Sequence, residues 1–314
     1  MEEKTALEIQ WTEEARTLMQ NVPAVIRNVA IKGVESYAKA KGIQVIDGTV
    51  VAQAAEARER GEIPTSAQPS GSPGAEPAHG NKKPVRQQYI SFLFYKVAPE
   101  WRRLPLSERE QGKKEFISVT EEYTKDPKQF MIMAYCTVGM RGDTDFMLWR
   151  IGYSLEQIQE CTAKLFSTKL GQYLSTPYSY LAMTKRSVYV DKINPEHEEQ
   201  RLRVVPGKSK YLFMYPFVKT PEWYLLTKHA RQGMMDEHIM VGTKYPSVKL
   251  NTTYSFGLDD QEFALAFETD KPEDFLNLLM DLRETQGRLY TQRDTPIFTC
   301  IKRSLKETLD LLGG

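Results

Sequence analysis

The feature that most constrains the fold of this 314-residue chain is an internal repeat. An apolar, aromatic run ends in Pro-Glu-Trp twice, at residues 99–101 and again at residues 221–223. In each copy a charged helical segment follows, then two strand-like runs around a Gly/Asp turn, then a second helix and a last strand. Each half therefore predicts the β-α-β-β-α-β order of a ferredoxin-like unit, and the repeat indicates a duplicated architecture.

Two fused units of this kind predict an α+β fold, a dimeric α+β barrel, in which two antiparallel sheets face each other and helices lie outside. The main domain spans residues 88–314, with halves at about 88–190 and 207–305. We expect a ligand site in the space between the sheets, because binding sites commonly form where structural layers meet.

The N-terminal part of the chain has a different composition. Residues 61–87 are rich in Pro and Gly and are predicted to form a flexible linker. They follow a small helical domain, residues 1–60, in which Thr12 and Asp47 are candidate N-caps. Its pattern from Trp11 to Val51 resembles the small helical domain at the C-terminus of the B subunit of light-independent protochlorophyllide reductase. A generic helical bundle that contacts a protein partner is the alternative.

Composition excludes several classes of protein. The formal net charge of +1 gives no reason to expect nucleic acid or an anionic membrane as partner. No apolar run approaches the roughly 20 residues that span a bilayer. The acidic N-terminus lacks the features of a signal peptide, so we expect a cytoplasmic protein. The three cysteines form no CxxC motif, which favours buried free thiols.

His238 is the first candidate site residue. It is one of four histidines and lies in a methionine-rich amphipathic run, with Gly242 one helical turn later. Glycine within a helix costs roughly 1 kcal/mol, so it needs a reason. A flat macrocycle against the helix, with its iron bonded to the imidazole, would be one. Close helix packing or a helix end would be others, and a histidine on an apolar face is commonly a core residue.

The strand before the second Pro-Glu-Trp motif carries the other candidates. Strand alternation places Tyr215 and Lys219 on one face. A tyrosine and a lysine beside an iron site would suit redox and proton chemistry, whereas the alternative is an ordinary strand whose polar tips reach solvent. Trp223 follows this strand and is expected to pack beside the macrocycle or in the core.

Five stretches of the main domain carry a family resemblance. They are KLGQYLSTPYSYLAMTKRSVY, YPFVKTPEWYLL, RQGMMDEHIMVGTKYPSVKL, SFGLDDQEFALAFETDKPEDFLNLLMDLRET and YTQRDTPIF. In this order they resemble the chlorite dismutase family of haem proteins, which includes the coproheme decarboxylases. The resemblance implies paired ferredoxin-like units, assembly as a homo-oligomer that is usually a pentamer, and haem as either iron coproporphyrin III or haem b. It also implies that His238 is the proximal iron ligand.

The resemblance assigns further roles. Tyr215 and Lys219 match the decarboxylating branch, in which the tyrosine forms a radical that oxidises a propionate and the lysine assists positioning and proton transfer. Chlorite-degrading members carry a distal arginine at a position that falls here on Leu250 or Asn251, where decarboxylases usually have glutamine. The predicted haem contacts are thus His238, Gly242, Trp223, Asn251 and Leu250.

A second departure from the family pattern concerns the proximal histidine. Chlorite-degrading members place on the last long helix a glutamate that accepts a hydrogen bond from the histidine and raises its basicity. The matching position here is Gly287. Glu284, one turn earlier, could compensate.

These features predict a haem-dependent oxidoreductase, a coproheme decarboxylase that uses hydrogen peroxide to convert coproheme III to protohaem. Chlorite decomposition or a haem peroxidase activity is the enzymatic alternative. A tetrapyrrole carrier or sensor without enzymatic activity is the second alternative, since a tethered N-terminal module suggests a protein partner.

Overall fold

The computed structural model describes residues 9–20, 24–59, 86–189 and 202–313. The chain divides into two compact units, residues 1–83 and 84–314. The predicted linker, residues 61–87, lies outside the described residues apart from its last two positions. Within the described ranges, no helix is long and apolar enough to cross a membrane. All three cysteines are free and buried, as predicted.

The first unit contains three helices and one small parallel strand pair. Its elements are β1 (Gln10–Trp11), α1 (Glu13–Gln20), α2 (Ala24–Lys41), β2 (Val45–Ile46) and α3 (Gly48–Glu59). Both predicted caps are present. The Thr12 hydroxyl accepts the Ala15 N–H at 3.3 Å, and the Asp47 carboxylate accepts the Val50 N–H at 2.9 Å. The two-residue strands were not predicted, because so short a pair has no alternation that a sequence could display.

The second unit follows the predicted order of elements twice. Its first half contains β3 (Tyr89–Val97), α4 (Leu106–Tyr123), β4 (Met131–Cys136), β5 (Phe146–Gly152), α5 (Leu155–Ser167) and β6 (Leu174–Met183). Its second half contains β7 (Tyr211–Lys219), α6 (Pro221–Leu225), α7 (Lys228–Thr243), β8 (Lys249–Tyr254), β9 (Phe263–Thr269), α8 (Pro272–Arg283), β10 (Thr291–Arg293) and β11 (Phe298–Lys302). A short helix, α9 (Leu305–Asp310), follows.

The strand order in each half is that of a ferredoxin-like unit. The first half runs β4-β5-β3-β6 and the second runs β11-β7-β9-β8, with antiparallel neighbours. The halves join through β11 with β4 and through β6 with β8, so that the sheet closes on itself. The predicted α+β fold of two fused ferredoxin-like units is therefore confirmed.

The interior of the closed sheet is packed with side chains. The rings of Phe92 and Trp149 stack at 5.4 Å, and those of Phe94 and Phe298 stack at 4.0 Å. Strands β7 and β9 contribute further fully buried residues to the same core. The expectation of a ligand between the sheets is therefore wrong, because aromatic side chains from both halves fill that space.

The outer faces of the two halves are covered unequally. In the first half Phe116 of α4 and Cys161 and Leu165 of α5 are fully buried against the sheet. In the second half α8 buries Phe275 and Leu278. Helix α7 has 16 residues and none of them is buried. The second half therefore leaves one helix only partly buried against its cluster, through side chains such as Val241, and this helix carries His238.

Candidate active site

The internal repeat relates His238 to a core residue of the first half. Trp101 and Trp223 end the two Pro-Glu-Trp motifs, and both are buried. Fifteen residues after each tryptophan stand Phe116 in α4 and His238 in α7. Phe116 is fully buried beneath its helix, whereas His238 is only half-buried. At the position where the first half has the buried Phe116, the second half therefore has an imidazole.

The same register relates the strand residues. Leu93 and Tyr215 stand eight residues before their tryptophans, and Val97 and Lys219 stand four before. Leu93 and Val97 belong to the apolar core beneath α4 and α5. Tyr215 lies in the outer cluster beneath α7 and α8. Three apolar positions of one half are therefore His, Tyr and Lys in the other.

His238 has the properties of a side chain that can bind a metal. Burial, with a smaller contribution from the nearby charge of Lys219, lowers the pKa of His238 to about 4. The residue nevertheless keeps some accessible surface. No described residue forms a hydrogen bond with either ring nitrogen. The imidazole is therefore neutral at pH 7 and can present a lone pair to a metal.

Gly242 lies beside open space. A Cβ built at this position would meet no atom within 4 Å. Close helix packing is thus not the reason for the glycine, although its place in the last turn of α7 still allows the helix-end explanation. A contact between Gly242 and a macrocycle stays a prediction.

Tyr215 is buried beneath the helix layer. Its ring stacks on Phe267 at 5.6 Å with an angle of 13° between the ring planes. Burial raises the pKa of Tyr215 well above its usual range, and the negative charge of Asp294 adds to this, while Arg283 and Arg288 oppose it. Tyr215 is therefore a protonated phenol at every physiological pH.

Lys219 lies at the end of β7 with its ammonium group among aromatic rings. Its Nζ donates to the Gly287 carbonyl at 3.0 Å and lies 4.3 Å from the ring centre of Trp223. Burial lowers the pKa of Lys219 to about 8, with the charge of Arg288 acting in the same direction and Glu262 opposing both. Trp223 therefore forms one wall of the lysine's surroundings.

Neither Gly287 nor Glu284 forms a described hydrogen bond with His238. The Gly287 carbonyl accepts from Lys219, and no described hydrogen bond joins Glu284 to His238. A helix neighbour, Glu237, instead accepts the Gln286 N–H at 3.0 Å. Compensation by Glu284 is therefore absent from the described part of the chain.

Strand β8 separates the two candidates for the distal position. Leu250 pairs with Phe267, whose ring stacks on Tyr215, so Leu250 belongs to the face below α7. Asn251 pairs with Ala266 in the inner core, and its amide donates to Glu268 at 2.9 Å. The prediction that Asn251 faces the haem is therefore wrong, because strand alternation turns it into the closed sheet.

Two groups near the site were missed by sequence reasoning. Arg288 forms an ion pair with Asp294 at 2.6 Å and is close enough to affect the pKa of both Tyr215 and Lys219. Glu262 accepts the Lys219 main-chain N–H at 2.7 Å. Both lie in or beside stretches that carried the resemblance, but charged residues near turns give no signal of the partner they will meet.

The metal-binding groups of the chain limit which cofactors fit. Among the described residues, no set of three or more His, Cys, Asp or Glu side chains could hold a metal ion. A single histidine can hold iron when a macrocycle supplies the other ligands. A single neutral imidazole beside an outer face rich in apolar side chains therefore fits an iron porphyrin better than a bare metal.

Other depressions of the second unit lie away from these residues. A crevice of about 220 Å³ runs between β4 and the start of α9, and its lining includes Thr120, Leu148 and Arg303. A more open groove of about 630 Å³ follows α4 and α5. None of the candidate site residues lines either of these depressions.

The second unit is similar to known proteins over most of its length. The family profile described as chlorite dismutase matches residues 109–303. The chain belongs to the chlorite dismutase family. It is 30% identical over 217 residues to the coproheme decarboxylase of Mycolicibacterium smegmatis, covering 68% of this chain and 88% of that protein. It is 26% identical over 209 residues to the chlorite dismutase of Ideonella dechloratans, covering 65% and 72%.

Solved structures of the family have the same fold. The chlorite dismutase of Candidatus Nitrospira defluvii in complex with imidazole matches with a TM-score of 0.66 and 25% identity, covering 72% of this chain and 95% of that one. A haem-binding protein from Thermus thermophilus matches with a TM-score of 0.64 and 22% identity, over 72% and 95%. The prediction of a haem-dependent enzyme of this family is confirmed at the level of the family.

The N-terminal unit has its own relative. Residues 11–54 match the family described as proto-chlorophyllide reductase 57 kD subunit. The predicted resemblance of this unit is therefore confirmed. Its role, and the partner expected for it, stay predictions.

Proposed function

We propose that this protein is a peroxide-dependent coproheme decarboxylase. The observation that carries the proposal is that Tyr215 and Lys219 lie on the sheet face beneath α7, the helix that carries His238 and buries none of its own residues. The coproheme decarboxylase of M. smegmatis, at 30% identity, supports the same activity. The substrate is iron coproporphyrin III, and it also supplies the iron.

His238 would hold the porphyrin through its neutral imidazole, with Gly242 and Leu250 offering surface to the macrocycle. Bound there, the iron porphyrin would supply the oxidising chemistry of peroxide. Since the pKa of His238 is about 4, protons do not compete for its lone pair at neutral pH. Without a hydrogen-bond partner among the described residues, this imidazole is less basic than one held by a glutamate.

Tyr215 is the residue that removes a hydrogen atom from the propionate. The reaction converts a propionic acid side chain and hydrogen peroxide to a vinyl group, carbon dioxide and two waters. The side chain is oxidised by two electrons and the peroxide is reduced. Tyr215 loses an electron and a proton and then takes a hydrogen atom from the propionate. Its raised pKa keeps the phenol protonated until that step, so no phenolate competes for the iron.

Lys219 is the residue that holds the propionate. A pKa of about 8 keeps most of the ammonium groups charged at pH 7, and a carboxylate is their natural partner. The same pKa lies close enough to neutrality for Lys219 to give up a proton during turnover. Two contacts hold its amine in place: the hydrogen bond to the Gly287 carbonyl and the position over the Trp223 ring.

Leu250 makes chlorite a poor substrate. The position that holds a cation in chlorite-degrading members is here an aliphatic residue, 42% exposed, so this position of β8 offers no charge for an oxyanion. Hydrogen peroxide is neutral and needs no such partner. The apolar surface therefore favours peroxide.

The test is a mass measurement. Purified protein is mixed with iron coproporphyrin III, peroxide is added in steps, and the porphyrin masses are followed. We expect two successive losses of a carboxyl group in the wild type and at least a hundredfold slower loss in Tyr215→Phe, on the order of what a residue acting in the chemical step contributes. Tyr180→Phe is the matched control, because Tyr180 is a half-buried tyrosine that packs against Phe94 in the inner core.

Each outcome discriminates between functions. Tight binding with no change in mass would exclude the decarboxylase and favour a carrier. Rapid chlorite turnover that survives Tyr215→Phe would favour chlorite dismutase. A pentameric assembly and a cytoplasmic location are parts of this proposal that sizing and fractionation would test.

A further inference from the structure

Glu262 connects the strand that carries Lys219 to the helix that follows it. One carboxylate oxygen, Oε2, accepts the Lys219 main-chain N–H at 2.7 Å and the Tyr224 hydroxyl at 2.6 Å. The Glu262 N–H in turn donates to the Phe217 carbonyl at 3.2 Å. This carboxylate, together with the pairing of Thr291 with Lys219, holds the end of β7 and ties α6 to it.

The first half contains the counterpart of this contact. Asp145 immediately precedes β5, as Glu262 precedes β9, and its Oδ2 accepts the Val97 N–H at 2.9 Å. Its N–H donates to the Tyr95 carbonyl at 2.8 Å. An acidic residue therefore closes the same strand end in both halves. The carboxylate is a structural device that the repeat duplicated.

The two halves differ in what the carboxylate holds. In the first half the held residue is Val97, an apolar side chain, and the second oxygen of Asp145 contacts Lys96 at 3.0 Å. In the second half the held residue is Lys219, and the second hydrogen bond comes from Tyr224. The end of β7 therefore carries a charged side chain, Lys219, where the first half has an apolar one.

We propose that Glu262 is a positioning residue for Lys219, whose ammonium group it directs at a carboxylate of the bound tetrapyrrole. This inference rests on the proposed function. With the main chain fixed at residue 219, the side chain reaches Gly287 and passes over Trp223. Other charged or titratable groups facing Lys219 are Arg288 on the turn after α8 and His238 on α7. Neither of these two groups forms a described hydrogen bond with the main chain of Lys219.

A double-mutant cycle tests the inference with metal-free coproporphyrin III as the probe. This probe carries the carboxylates without iron, so its affinity reports the carboxylate contact rather than the bond to His238. We expect Glu262→Ala and Lys219→Ala each to weaken binding about tenfold, and the double variant to weaken it no further. Glu262→Gln keeps an acceptor and should stay within about threefold of the wild type.

Asp145→Ala is the matched control. It removes the equivalent contact in the first half, so the porphyrin affinity should change about twofold or less, and the change should add to that of Lys219→Ala. If Glu262→Ala weakens binding as much without Lys219 as with it, the carboxylate is only structural and the inference is wrong. Because Glu262→Ala can also destabilise the fold, circular dichroism and the Glu262→Gln variant check that the loss is local.

The inference can fail separately from the proposed function. A wild type that binds coproporphyrin with full coupling between the two residues but leaves coproheme unchanged would refute the decarboxylase and keep Glu262 as a positioning residue. A wild type that decarboxylates coproheme without this coupling would keep the decarboxylase and refute Glu262 as a positioning residue. Absence of any porphyrin binding would overturn both.

Discussion

At the scale of single residues, the site is built from substitutions that cost stability. Lys219 stands where the first half has buried Val97, and Tyr215 stands where it has Leu93. Removing an ammonium group from water disfavours its charged form, which is why the pKa of Lys219 falls to about 8. Such a residue lowers the stability of the fold, and its proposed role in the reaction accounts for its presence.

Lys219→Val should therefore raise the stability of the protein while it abolishes decarboxylation. We expect a gain of about 1–3 kcal/mol at pH 7, because the buried charge disappears and the new side chain matches the first half. Denaturant unfolding measures it. The reciprocal change, Val97→Lys, should destabilise the first half by at least as much, because the ammonium group would be buried there among apolar side chains.

The pH dependence of this gain has a definite sign. Below about pH 8 Lys219 is charged in both the folded and the unfolded protein, so the fold bears the full cost of its burial. Between pH 8 and the usual lysine pKa of about 10.4, the unfolded chain binds more protons, and the cost declines as the pH rises. The advantage of Lys219→Val should thus shrink from about pH 8 to about pH 10. A constant advantage would contradict this account.

At the scale of elements, the two related helices differ in how they are held. Helix α4 buries Phe116 and Thr120 against its sheet, whereas none of the residues of α7 is buried. A helix that is only partly buried relies more on its caps and end contacts, here the Thr227 hydroxyl and the Tyr245–Asp281 hydrogen bond of 3.0 Å. Local opening should therefore cost α7 less than α4.

Hydrogen exchange should detect this difference. In the ligand-free protein we expect the amides of α7 to exchange faster than those of α4. Iron coproporphyrin III at about a hundred times its dissociation constant should slow the exchange of α7 by up to about a hundredfold. His238→Ala should lose most of this protection. His229→Ala, an exposed position on the same helix, should retain it, and equal protection in both variants would remove His238 as the anchor.

At the scale of the whole molecule, the chain combines two units with separate cores. Buried residues of the first unit, such as Ala15, Val34 and Ile46, form one cluster of their own. The cores of the second unit are drawn from residues beyond Gln88. All candidate site residues lie in the second unit.

Deleting residues 1–83 should leave decarboxylation within about twofold of the full chain, because every group assigned to the reaction remains. The stepwise mass assay on the truncated protein provides the check. Loss of turnover in a truncated protein that still folds and binds coproheme would place a required group in the first unit, and the functional assignment would have to change.

The sequence by itself determined the architecture and named the candidate reactive groups. The duplicated Pro-Glu-Trp motif and the periodicity of the runs around it specified the order of strands and helices, since hydrophobic spacing follows directly from backbone geometry. His238, Tyr215 and Lys219 were found because residue type and strand or helix spacing are local properties.

Only the tertiary structure decided which surfaces these residues share. Closure of the sheet through β11 with β4 and β6 with β8 fills the interior and moves the candidate site to the outer face beneath α7. A shift of one residue in β8 exchanges Leu250 for Asn251, and the register with β9 decided which of the two lies on the face beneath α7. The partnership of Glu262 with Lys219 likewise depends on strands far apart in sequence, whose pairing no local pattern encodes.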